Sequence, residues 1–306
     1  MIIAMDPGAP TDLALDQEYV YWTSYSSGTI QRVPKAGGSP ELLTPIQRNG
    51  LPTLDVDDTT VYFAAYDDTG VTTYVGSIPK TGGPITVLAP SQMAALRVKV
   101  RNGFVYWLAD SQSNIGGVVR IPVTGGAVQP LTPSTYVGTA RLAVDDQYAY
   151  WTAYGDLGAT SGNVYRVPCD GSGPVATLVA GVDSPYGIVV DASNLFVGLG
   201  FHPNVTNGSV NGGILSLNRL GAPPVPTTVI ASNQGQPLAV ALDDTFVYWG
   251  DHLTGYIMKA PKAGGPAVPI VSGEGSFESI AVDDQYVYWI FGSVGNGYVA
   301  RAPKSP

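Results

Sequence analysis

The sequence predicts an all-β fold: a seven-bladed β-propeller of four-stranded antiparallel blades, its ring closed by the N-terminal strand completing the last blade. Three observations carry that expectation. One sequence unit recurs seven times at a spacing of about 44 residues, a period typical of propeller blades. Gly (38) and Pro (25) make up about a fifth of the 306 residues, while only 13% are charged; ordinary globular chains carry about a quarter charged residues and far fewer turn-formers. Finally, the last unit stops where the others continue into one more apolar run, and the N-terminus offers that run.

Alignment on an aromatic pair sets the register. The units read "LALDQEYVYW" to Trp22, "LDVDDTTVYF" to Phe63, "VKVRNGFVYW" to Trp107 and "LAVDDQYAYW" to Trp151. They continue with the degenerate "IVVDASNLFV" to Val197, then "VALDDTFVYW" to Trp249 and "IAVDDQYVYW" to Trp289. Within each unit an apolar first strand runs into an Asp-rich turn, as at Asp57-Asp58, Asp145-Asp146, Asp243-Asp244 and Asp283-Asp284. The β-branched and aromatic "VYW" segment supplies the second strand. A variable loop precedes a third strand such as "GTIQRVP", which Pro terminates without disturbing a central ladder. Gly-Gly turns (Gly37-Gly38, Gly82-Gly83, Gly125-Gly126, Gly264-Gly265) provide the positive φ that a tight reversal needs before the fourth strand.

Such a unit cannot bury both sheet faces alone, and radial stacking gives each face a neighbour. The chain ends "YVARAPKSP" with no fourth strand after it, whereas "MIIAM" precedes the first unit as "PIVSG" precedes the seventh. Ile2 and Ile3 are therefore expected to pair with residues 298–301, removing a sheet edge that would otherwise invite aggregation. The expectation is one domain, 1–306, with units at about 12–46, 53–90, 96–133, 141–181, 187–231, 238–273 and 279–306, the last joined by 1–5.

A formal charge of −9 and the lack of any basic cluster exclude a nucleic-acid partner. The single cysteine, Cys169, rules out an internal disulfide and occupies a turn position that holds Lys in sister units. No apolar run reaches the length of a membrane span. The opening "MIIAMDPGAP" lacks the charged region and long apolar core of a signal peptide, so any leader lies outside this sequence.

The unit "AVDD…VYW…G.I.R.P..GG…L" resembles the YWTD repeat of low-density-lipoprotein-receptor-type propellers, and bacterial exported propeller-like proteins with "VYW…RVPKAGG" repeats. The similarity spans the whole chain and departs in two respects. Seven units replace the usual six of YWTD propellers, and the motif's Asp stands in its column only at Asp251. What the resemblance implies is an extracellular or periplasmic binding propeller.

Repetition itself discriminates structural from functional polar residues. Asp pairs that recur once per blade read as turn caps rather than converging calcium ligands. Lys35, Lys80, Lys262 and Lys304 recur beside turns and read as solvated. Two columns on the first strand, eight and ten residues before the aromatic column, are mostly small but carry charge at Asp12, Asp55, Arg97, Lys99 and Arg141. Charges in so crowded a place need partners. One expectation is an ion-pair network, for example Asp55 with Lys99; the other is a polar pocket in which Arg97 and Arg141 receive an anion. The loops after the second strand carry Tyr25, Tyr66, Asp110, Tyr154, Asp156, His202, Asp251, His252 and Phe291. Aromatic and acidic residues around a shallow mouth suit a carbohydrate, peptide or protein ligand.

The ligand-binding candidates are thus Asp12, Asp55, Arg97, Lys99, Arg141, Tyr25, Tyr66, Tyr154, Asp251 and His252, in a recognition module that needs no cofactor. The competing reading is a lyase or hydrolase dependent on a divalent cation such as calcium or magnesium, with His202, His252, Asp251 and Glu278 around it. No G-x-S-x-G or HExxH motif supports it. A structural scaffold subunit is the third possibility.

Overall fold

The computed structural model describes residues 1–45, 53–67, 70–92, 94–109, 117–133, 138–155, 161–200, 212–273, 275 and 277–305. The chain is all-β, with seven four-stranded antiparallel sheets forming the blades of a seven-bladed propeller. No helix among the described residues is long and apolar enough to cross a membrane. Six sheets follow chain order; blade 1, for example, comprises Pro10–Leu15, Tyr19–Ser24, Thr29–Pro34 and Glu41–Pro45. In the seventh, Ile2–Met5 lies beside Tyr298–Pro303.

The expected closure is present. Ile2 pairs with Ala300, Ala4 with Val299 and Met5 with Tyr298, while the N-terminal amine donates to the Arg301 carbonyl at 2.7 Å. Ile3 and Ala4 are buried; Met1, Ile2 and Met5 remain exposed.

By proximity of its residues the chain divides into two compact units, Met1–Thr135 with Tyr286–Ala302, and Tyr136–Gln285 with Pro303–Pro306. The first holds blades 1 to 3 and most of blade 7. Its core forms between facing sheets: Tyr21, Leu54, Phe63 and Ile78 between blades 1 and 2, then Val75, Val98, Trp107 and Ile121 between blades 2 and 3. The second unit holds blades 4 to 6 and repeats the scheme with Tyr150, Leu178 and Leu217, and with Phe196, Ile214 and Trp249. Each aromatic column residue is lost to solvent, which at ~25 cal/mol per Å2 makes it a leading contributor to the seam.

The Asp turns cap as expected. Asp16 Oδ1 accepts the backbone N–H groups of Glu18 and Tyr19 at 2.8 and 2.7 Å, and Asp57, Asp145, Asp191 and Asp243 do the same for the residues two and three positions on. Their second oxygen has a further role. Oδ2 of Asp16, Asp57, Asp145 and Asp243 accepts the hydroxyl of Tyr21, Tyr62, Tyr150 and Tyr248, five residues on.

The lysines correct the sequence expectation of solvated side chains. Lys80 is buried, and its Nζ lies 2.9 Å from Asp16 of the preceding blade. Lys262 meets Asp191 at 2.8 Å and Lys304 meets Asp243 at 2.6 Å, while Arg219 takes the same place against Asp145 at 2.7 Å. Lys35 is half-buried with its ammonium 5.7 Å from the Tyr288 ring centre. The cation stem fills the seam and its head finds a carboxylate, which is why it leaves water. Cys169, in the same column, is buried with its sulfur near the Asp145 carbonyl.

Candidate functional site

Two groups of residues compete for the role of a site: the charged positions on the first strands, and the loops after the second strands at the same ends of the blades. In the first compact unit the charged positions hold adjacent blades together. Asp12 accepts the Leu13 N–H at 3.0 Å and, from blade 2, the Leu54 N–H at 3.3 Å. Thr53 Oγ1 accepts the Val98 N–H of blade 3 at 2.9 Å, and Asp55 accepts the Val100 N–H at 3.0 Å. Side chains on one first strand thus substitute for a ladder partner of the next, where backbone groups would otherwise go unpaired.

The expected Asp55–Lys99 relationship exists as an electrostatic one. Asp55 is the largest influence on Lys99 and raises its pKa; burial acts against it, Asp12 adds to the rise and Arg97 opposes it. Arg97 sits where the blade 3 ladder is irregular, between the Leu96–Leu108 and Lys99–Tyr106 pairs, with φ of 56°. A similar irregularity opens the first strands of blades 1, 4 and 6. Bulges re-aim side chains at strand ends, so the strict alternation assumed from sequence does not hold through Arg97 and Arg141. Arg141 belongs to the second unit, where its Nη1 donates to the Tyr186 hydroxyl at 3.1 Å and its guanidinium lies 4.4 Å from the ring centre.

The rim of the first unit is organised by a residue that sequence reading passed over. Asp6 is buried, at 3% exposure. Its Oδ2 accepts the Trp22 indole N–H at 2.7 Å and the Ser24 hydroxyl, its Oδ1 accepts the Gly8 N–H at 2.8 Å, and its own N–H donates to the Gly297 carbonyl at 2.8 Å. One carboxylate therefore ties residues 6–8 to the second strand of blade 1, and its backbone ties them to the last hairpin. Around it the Tyr25 N–H donates to Ala9, the Ser26 N–H to Gly8 and the Gly295 N–H to Pro7, all within 2.8–2.9 Å. Gly8 also bridges Val294. A Cβ on Gly8 would lie 2.4 Å from Ser27 Oγ and 2.9 Å from Asp6 Oδ1, so only Gly fits. Ala9 holds a left-handed φ of 58°, a conformation that the surrounding bonds must impose.

On this braced frame stand Pro7, Tyr25 and Val294, all exposed, with Tyr25 at 40% and Val294 at 71%. The Val294 hairpin is held at its base by Phe291 and Tyr298, whose rings stack with centres 5.2 Å apart. Of the sequence candidates, Tyr25 thus lies on the platform. Tyr66 is half-buried at the end of its strand, and Tyr154 is half-buried with its ring against Gly138.

In the second unit Asp251 is buried at 2% and accepts the N–H groups of Gly235, Gln236, Leu253 and Thr254, the first at 2.6 Å. It fixes the entry to the blade 6 first strand much as Asp6 does in blade 1. His252 is half-buried and its N–H donates to the Gln236 carbonyl; Glu278 is exposed. Asp110, Asp156 and His202 lie outside the described residues. Among the described residues no three His, Cys, Asp or Glu side chains are grouped to hold a metal ion. At the opposite strand ends a cavity of about 470 Å3 is lined by Asp243, Asp244, Asp284, Lys259 and Lys304.

The fold defines the class, a seven-bladed propeller, with Pro7, Tyr25 and Val294 exposed on hydrogen-bonded loops of its first unit. No family model and no curated protein sequence matches the chain. Solved structures do. A streptogramin B lyase matches at a TM-score of 0.72 with 12% identity, over 96% of this chain and 94% of that one. A catalytically inactive virginiamycin B lyase from Staphylococcus aureus, solved with quinupristin, matches at 0.69 with 13% identity, over 95% and 94%. A nidogen/laminin complex matches at 0.54 with 16% identity, over 77% and 83%. At these identities the likeness is one of fold.

Proposed function

We propose that the chain is a non-enzymatic recognition module acting outside the cytoplasm, and that it binds a carbohydrate, peptide or protein ligand through the loop end of its blades. The observation that carries this reading is the pair Tyr25 and Val294, large apolar side chains left in water on loops that the buried Asp6 carboxylate has already fixed. A rigid aromatic anchor on a braced loop gains affinity because little ordering entropy remains to be lost on binding. The charged first-strand residues Asp12 and Asp55 are occupied with backbone N–H groups of neighbouring blades, which leaves the platform as the better-placed contact surface. The structural likeness to a nidogen/laminin complex is in keeping with a partner-binding role.

The test is a glycan and peptide array probed with wild type, Tyr25→Ser and Val294→Asp proteins of equal melting temperature. The expected result is a set of probes retained by wild type and lost by both variants. An empty array, or identical retention by all three, overturns the reading. Metal analysis separates the enzyme alternative: stoichiometric tightly held metal that disappears in His252→Ala would favour a lyase.

A further inference from the structure

Four blade seams in the described residues share one arrangement, a cation reaching from the end of a third strand to an Asp of the preceding blade: Lys80 to Asp16, Arg219 to Asp145, Lys262 to Asp191 and Lys304 to Asp243. In three of them a Tyr hydroxyl shares the receiving oxygen. Blade 2 has the receiving half complete. Asp57 Oδ1 is held by the N–H groups of Thr59 and Thr60 at 2.9 Å each, and its Oδ2 accepts the Tyr62 hydroxyl at 2.9 Å. The residue that should supply the cation is Val123. Its N–H donates to the Gly103 carbonyl at 2.9 Å, as those of Lys80, Lys262 and Lys304 do to Thr59, Thr245 and Gln285, so the column is unambiguous. Val123 packs on the apolar cluster that contains Tyr62, and its short aliphatic side chain brings no charge to Asp57. Among the described residues no cation reaches Asp57.

We propose that the Asp57–Tyr62 pair is a binding seat for an external primary ammonium, a free alkylammonium or the lysine side chain of a partner. The fold shows what the seat takes, because the same pair of groups receives Lys80 at Asp16–Tyr21 and Lys304 at Asp243–Tyr248 in this same chain. Asp57 is half-buried and so open on one side, and the exposed Asp58 beside it adds negative potential towards an arriving cation. Burial and the Asp57 carboxylate hold the Tyr62 phenol up at about 12, so at neutral pH it stays a donor to Asp57. This seat lies at the Asp-turn ends of the strands and is independent of the Tyr25 platform.

The test is nuclear magnetic resonance of protein carrying carbon-13 tyrosine, titrated with n-butylammonium chloride and, separately, with the blocked tripeptide acetyl-Gly-Lys-Gly-amide, against sodium chloride at matched ionic strength. Saturable movement of the Tyr62 signal is expected, with Tyr21 and Tyr248 unmoved because their seats are filled. Val123→Lys, which carries its own ammonium into the seat, and Asp57→Asn should each abolish the response while the other tyrosine signals stay at their wild-type positions. Tighter binding of the tripeptide assigns the seat to a partner's lysine, and equal binding assigns it to free alkylammonium. No movement of Tyr62, movement of all three tyrosines alike, or an undiminished response in Val123→Lys overturns the proposal.

Discussion

The ammonium of Lys80 lies 2.9 Å from Oδ2 of Asp16, across a seam between blades and 64 residues along the chain. Tyr21 donates to the same oxygen and two backbone N–H groups hold the other. A half-buried carboxylate thus gathers four donors, which is what keeps it charged in a place that burial alone would neutralise.

Asp16→Asn should be more damaging than Lys80→Met. The first leaves the Lys80 ammonium without its carboxylate and weakens the turn; the second leaves a carboxylate that still has three donors. Removing one partner of a buried pair costs about 3–5 kcal/mol, and with the partial exposure of Asp16 we expect about 2–3 kcal/mol for Asp16→Asn and about 1 kcal/mol for Lys80→Met. Urea denaturation of the two variants checks the order.

Acid should undo these seams together. For Asp16, burial raises the pKa, but hydrogen bonds from Lys80, Tyr19, Tyr21 and Glu18 outweigh it and lower the value to about 2. Asp243 is likewise brought to about 2 against burial, chiefly by Lys304 and Tyr248. A carboxylate depressed in the folded state stabilises fully above its unfolded pKa of about 4, and loses that contribution as pH falls through the folded value. The stability gap between wild type and Asp16→Asn/Asp243→Asn should be widest at neutral pH and shrink between about pH 4 and 2. A gap independent of pH would contradict the assignment.

Asp6→Ala removes the acceptor of a buried indole, a hydroxyl and a backbone N–H at once. Unsatisfied buried donors cost about 1–3 kcal/mol each, and a total of about 3 kcal/mol is expected after relaxation. The same variant should lose array binding at temperatures where it remains folded, since Tyr25 and Val294 would no longer be held. Hydrogen exchange at Gly8, Tyr25 and Gly295 reports the loosening directly.

Deleting residues 1–5 takes away the fourth strand of blade 7, with the burial of Ile3 and Ala4 and the pairing to residues 298–300. The whole melting transition should move down as one, by calorimetry. An unchanged midpoint would refute the pairing.

Much of the architecture was legible because each blade repeats the same columns: the aromatic pair, the Asp turn and the Gly-Gly turn each fixed a strand or its end, and the missing fourth strand pointed at Ile2 and Ile3. The seam cations were not read, although a signal was present. Lys or Arg follows Asp16, Asp145, Asp191 and Asp243 of the preceding blade, whereas Val123 follows Asp57; Arg101 replaces the Asp in blade 3, and Cys169 replaces the Lys in blade 4. Comparing columns between neighbouring units, not within one, would have found it. Asp6 had no such signal, since it occurs once and its partners Trp22 and Gly297 are fixed only by tertiary structure. The bulge at Arg97 depends on a left-handed backbone that no local residue type announces.

The first eight residues carry two duties in immediate succession: Ile2–Met5 zips the two chain ends together, and Asp6 to Gly8 scaffolds the surface that displays Tyr25 and Val294. A chain still missing its last hairpin would lack both Val294 and the Gly297 carbonyl to which the Asp6 N–H donates. On the recognition reading proposed above, binding then requires both ends of the chain, and a molecule clipped at either end should not bind.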